Sequence, residues 1–274
     1  MRLLPPAALG AAFLLVSCAQ ATDRAPVIHS GLAKRVLATP GTQWITGASE
    51  HFHLHALANT RAARDLVLLA NEAERARADD LALLGEQDPR THELLFVDSR
   101  VQMAQLLGYP AGGHAQTDED SAYFVHESGL HAALKHEIMH LISFHLWGTP
   151  SEAWMGEGLA TLAAGGCRTG NWTVHQMAAS SRRTGKLISL AEFDDRFKVQ
   201  SGDAYAQAGS VVEFVRETYG LNAVHSLWTN GLDSTARSTT GSLETFEKAW
   251  LARIAIADDG RVLDWNAVRK TGCE

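Results

Sequence analysis

Apolar residues along the chain fall first into one concentrated run, then into alternation with polar ones, and finally into helical spacing that lasts for most of the remainder. The run, Leu3 to Val16 behind Arg2, is too short and too interrupted by proline to span a bilayer, so residues 1–17 read as a signal peptide. From Ala19 to about Pro40 the residues are small, polar and turn-forming, with Pro26, Gly31 and Pro40 and no sustained period, which reads as a tether over 18–40. Alternation over Trp44 to His55 predicts β structure, and Ala, Leu and Arg recur at helical spacing from Asn59 to Leu84, stopping at Gly85. The pair repeats: a strand over Glu93 to Val97, then a helix from a cap at Asp98 or Ser99 to Leu107, broken by Gly108, Pro110, Gly112 and Gly113. A third strand is expected from about Ala122 to His126, followed by helices near 130–146, 156–164, 172–182, 204–219, 222–229 and 243–254, with a loop over Asp233 to Ser242. Strands first and helices later predict an α+β fold: an N-terminal mixed α/β lobe with a small sheet over 41–146 and a mainly helical lobe over 147–274.

Composition narrows the function classes. The 274 residues are 46% hydrophobic and 20% charged, the balance of a globular domain, and no repeat of solenoid or propeller length occurs. A net charge of −7 without a basic cluster excludes an electrostatic footprint for nucleic acid. Leu15-Val16-Ser17-Cys18 resembles the lipobox of bacterial lipoproteins, which implies lipid attachment at Cys18 and a membrane contact through that lipid. Ala19 rather than Asp behind the cysteine favours, in that pattern, the periplasmic side of the outer membrane. Cys167 and Cys273 remain, an even pair that an oxidising compartment permits to form a disulfide.

The chemistry concentrates in His136-Glu137-Ile138-Met139-His140, an H-E-x-x-H sequence inside an expected helix. Two histidines four residues apart point in nearly the same direction, so both imidazoles can face one ion, while Glu137 sits beside them as a base rather than a ligand. Because 13 histidines make a chance match possible, a third ligand decides. Glu157 supplies it, in Trp154-Met155-Gly156-Glu157-Gly158-Leu159-Ala160, completing the His-His-Glu set common for catalytic zinc.

This segment resembles the gluzincin branch of zinc peptidases, the peptidase MA-like group, whereas a metzincin would need a glycine and third histidine close behind His140. The likeness is sharp from His136 to Ala160 and weaker elsewhere: Ser49-Glu50-His51-Phe52 is similar to the opening strand of that group, Tyr205 to Ser210 to its closing helix, and Phe246 to Trp250 to its last helix. It implies a zincin-like fold and a zinc metallopeptidase in which Glu137 acts on water at the zinc; Tyr205, turned inward by the apolar stripe through Ala208, Val212 and Val215, reads either as the donor to the oxyanion or as a core tyrosine. The resemblance further implies a peptide or protein substrate paired along an edge strand near Ala122 to Val125; the chain is expected as a monomer. Thr161 stands where the group often has a carboxylate one turn after the glutamate. Two rival readings are a catalytically inactive envelope binding or scaffold module, against which the intact Glu137 argues, and a purely structural zinc site, which more often carries four Cys or His ligands. His51, His53 and His55 read as a polar strand face, His126, His131 and His145 as surface or hydrogen-bonded residues, and Trp147, Trp154, Trp172, Trp228 and Trp250 as core.

Overall fold

The computed structural model describes residues 31–127, 133–166, 171–197 and 201–271. Part of the expected tether is folded: helix α1 (Gly31–Leu37) buries Ala33 and Val36. The alternating piece after it bends back on itself as β1 (Trp44–Ala48) and β2 (Phe52–Leu57), an antiparallel pair with Trp44 opposite Leu57 and Ala48 opposite His53. The helical stretch that follows divides at Asp65 into α2 (Arg61–Arg64) and α3 (Leu66–Leu84). Leu66, Leu69, Ala73, Ala76 and Leu84 are its buried stripe, and Gly85 closes it in the left-handed conformation that glycine adopts without steric cost. Next come β3 (His92–Val97), α4 (Arg100–Leu107) capped by Ser99, β4 (Gly113–Gln116) and β5 (Ser121–Val125).

The sheet runs β1-β2-β3-β5-β4, with β2, β3 and β5 parallel and the two outer strands antiparallel to their neighbours. Side chains alternate between its faces as strand geometry requires. Phe52, Leu54, Ala56, Leu94, Phe96, Ala122 and Phe124 enter the main core, whereas Leu57, Leu95, Val97, Tyr123 and Val125 form a second cluster with Ala33, Val36 and Met103 under α1 and α4. Two expectations change here. The segment at 122–126 is an interior strand, and the edge is β4, whose four half-buried residues open with Gly113 and carry no apolar alternation to signal a strand.

Beyond the sheet the chain is helical: α5 (Leu134–Trp147), α6 (Trp154–Ala163), α7 (Val174–Arg183), a 3-10 turn at Leu190–Glu192, α8 (Phe193–Arg196), α9 (Gly202–Tyr219), α10 (Leu221–Thr240), α11 (Leu243–Ala257) and α12 (Trp265–Thr271). The loop expected over Asp233 to Ser242 is instead the second half of α10 as far as Thr240. Its small hydroxyl residues bond back to carbonyls one turn earlier, Thr239 to Thr235 at 2.7 Å and Thr240 to Ala236 at 2.9 Å, and Thr235 and Ala236 are buried. Residues from Phe52 to Ile254 share the main core, so the strand-rich and helix-rich halves pack as one body around α5. No described helix is long and apolar enough to cross a membrane.

Candidate metal centre

Helix α5 is buried on nearly all sides, with Ile138, Met139, Leu141 and Ile142 fully enclosed, which fixes the direction of its polar residues. The turn after it, residues 148–153, is held by α10. The Trp228 indole N–H donates to Gly148 O at 3.0 Å and the Ser151 N–H donates to Trp228 O at 2.8 Å. Glu152 accepts the Leu232 N–H at 2.9 Å and the Trp154 indole N–H at 2.6 Å. Gly231, at φ 87°, breaks α10 at this point, and the carboxylate of Glu152 takes up the Leu232 N–H next to the break.

The clamp starts α6 in a fixed position. Glycines on both sides of Glu157 then let that helix approach its neighbours closely. A methyl group at Gly156 would lie 3.1 Å from the Phe144 ring, and one at Gly158 would lie 2.9 Å from the Ala208 backbone of α9.

Three ligand atoms converge as a result. His136 Nε2 lies 3.2 Å from Glu157 Oε2 and 3.3 Å from His140 Nε2, and His140 Nε2 lies 3.5 Å from the same oxygen. Ligands about 2.0–2.1 Å from a tetrahedral ion are separated by roughly 3.3 Å, so the three edges fit a single zinc-sized cation. Among the described residues this is the one group of three or more His, Cys, Asp or Glu side chains that meets in this way. Burial pushes the Glu157 carboxyl up, but hydrogen bonds and positive charge from His136 and His140 outweigh it and hold the group well below the usual carboxylate range. Glu137 shifts in the opposite direction. Burial raises it, the two histidines only partly offset that, and Glu157 adds repulsion.

Tyr205, in the first turn of α9, stacks on His136 at 6.2 Å between ring centroids and on Phe197 at 5.9 Å. All five expected site residues among the described ones, His136, Glu137, His140, Glu157 and Tyr205, therefore lie together. Thr161 is buried and packs beside Gly209 rather than at the ligands. Cys18, Cys167, Cys273 and His131 lie outside the described residues.

The remaining histidines have structural settings. His53 and His55 share the buried Glu93 at 3.1 and 2.7 Å, His51 bonds Glu74 at 2.9 Å, and His126 meets Asp65 at 3.0 Å, while His145 is exposed. Trp154, Trp172, Trp228 and Trp250 are core, and Trp147 is half-buried against Trp228. Sequence reasoning missed Glu152, whose role depends on the bend of α10, and β4, which lies against Glu137; the paired glycines 112 and 113 were the one signal of the latter. No protein-family model matches the chain, and no curated protein is significantly similar to it.

Proposed function

We propose that this protein is a zinc-dependent peptide hydrolase of zincin-like, gluzincin type, carried on a lipid at Cys18 and facing the periplasm. The observation that carries the reading is the convergence of His136, His140 and Glu157 at ligand spacing with a buried carboxylate, Glu137, on the same helix. Three ligands leave one position of a tetrahedral ion open, which is the arrangement of catalytic rather than structural zinc. Zinc bound there supplies a Lewis acid that polarises a carbonyl and makes water a nucleophile near neutral pH.

The chain supplies the rest. Glu137, a buried carboxylate on the helix of the two histidines, accepts a proton from the attacking water and passes it to the leaving nitrogen. Tyr205 donates its phenol O–H to the oxygen that gains charge. The outer edge of β4 has no strand partner among the described residues, and its backbone groups hold an extended peptide by strand addition. A binding or scaffold module would need the ligands but not the base.

Two measurements on the purified domain test this. Metal analysis should find one zinc per chain, lost in His136→Ala. Glu137→Gln should keep the zinc and lose essentially all cleavage of a mixed peptide library, because it removes the base but no ligand. Equal cleavage by Glu137→Gln and the parent protein would end the hydrolase reading.

A further inference from the structure

Gly113 begins the edge strand at the place where β4 crosses α5. A methyl group at this position would lie 2.9 Å from both Cγ and Cδ of Glu137 and closer still to Oε1. Carbon atoms in contact prefer about 3.5–4.0 Å, so these contacts are repulsive along the length of the side chain rather than at its tip alone. Neither backbone can retreat. Gly113 is paired with Phe124 in β5, and the Val125 N–H donates to Gly112 O at 2.8 Å. On the other side, Ile138 and Leu141 anchor α5 in the main core with no exposed surface. Glu137 is itself only 7% exposed and so has little room to turn aside.

We propose that Gly113 is a positioning residue for Glu137: the space left by its missing side chain is the slot that holds the carboxylate beside the metal ligands. The proposal rests on the hydrolase reading for its catalytic consequence, though not for the contact itself. The edge strand then serves two purposes, presenting its outer edge to a peptide and forming one wall of the base. Gly112 makes the contrast. A methyl group there would meet only the guanidinium of Arg100, at 3.3 Å, the flexible end of an exposed side chain.

The test is a double-mutant cycle read by melting temperature, by metal content and by peptide turnover. Gly113→Ala should keep its zinc, melt below the parent and lose roughly a hundredfold in kcat at little-changed KM, the size of loss that a misplacement of about 1 Å produces. In a Glu137→Ala background the same replacement should leave the melting temperature unchanged or raised, because the added methyl enters vacated space. Gly112→Ala should behave as the parent in every readout. If Gly113→Ala alone fails to fold, recovery of folded protein in the double variant supports the proposal and failure of both overturns it. An equal drop in melting temperature in both backgrounds, or parental kcat in Gly113→Ala, also overturns it. Should the parent cleave no peptide, the hydrolase reading falls and the melting cycle still decides the contact.

Discussion

A donor aimed at the oxygen that gains charge during attack needs a fixed ring as much as it needs a hydroxyl, because a mobile phenol must be ordered at the moment of reaction. Tyr205 has such a ring. It lies between His136 and Phe197, nearly parallel to both at 24° and 16°, on a helix started by the Ser201 side chain and anchored by Ala204, Ala208, Val211, Val212 and Val215. Tyr205→Phe retains the stacked ring and removes only the O–H. The variant should therefore stay folded and bind zinc, with similar KM, while kcat falls about a hundredfold. Turnover within a few-fold of the parent would make Tyr205 a packing residue and move the donor role elsewhere.

The elements that carry the ligands are positioned by one turn. Residues 148–153 join the helix of His136 and His140 to the helix of Glu157, and their hold on α10 runs through Glu152, whose two oxygens accept from Leu232 and Trp154. Glu152→Ala leaves the Leu232 N–H beside the Gly231 break without this acceptor and frees the start of α6. Groups that orient ligands typically carry about 10–100-fold in metal affinity, so the variant should bind zinc more weakly by that order in a chelator competition, with all three ligands intact. Unchanged affinity would show that Gly156 and Gly158 seat α6 without the clamp. The convergence of His136, His140 and Glu157 was legible in the sequence because helical spacing alone puts residues 136 and 140 on one face, and because Trp154 to Ala160 opens a new helix within reach. The alternating piece Trp44 to His55 and the short apolar run Glu93 to Val97 were also legible as β structure, because local pattern alone marks them. What escaped depends on contacts made elsewhere in the chain. β4 is a strand because β5 pairs with it, the end of α10 is helical because Thr235 and Ala236 find a core, and α1 folds because the sheet offers Ala33 and Val36 a covered face.

At the scale of the whole molecule, three helices of the main core are tied together by a hydrogen-bond network around one imidazole. His175 of α7 places Nδ1 2.8 Å from Ser210 Oγ of α9 and Nε2 3.3 Å from Glu217 Oε2, also of α9. From α11, the Trp250 indole N–H donates to Ser210 Oγ at 3.0 Å and Arg253 donates to Glu217 at 2.9 Å. Burial lowers the proton affinity of His175 first and the charge of Arg253 lowers it further, while Glu217 and Glu213 oppose the change without reversing it. A histidine with a lower pKa folded than unfolded binds its proton better in the unfolded chain. Its contribution to stability is therefore complete above about pH 6.5 and is lost as the pH falls through the lower folded value. Asp65 and Glu217 also titrate below their ordinary range. Hydrogen bonding to His126 is the largest cause for Asp65, as hydrogen bonding to Arg253 is for Glu217. Asp88 is pushed up by burial and pulled down further by His92 and Arg90. The contributions of these three carboxylates are intact above about pH 4 and are lost only below it. Acid should consequently destabilise the protein in two stages, the first belonging to His175 and the second to the carboxylates. His175→Gln keeps an uncharged hydrogen-bonding group between the helices and cannot take up a proton. Its melting temperature should be lower than that of the parent at about pH 7.5 but should fall less on going to about pH 5, with the two proteins declining in parallel below about pH 4. A parallel decline from neutral pH downward would show that the first stage does not belong to this histidine.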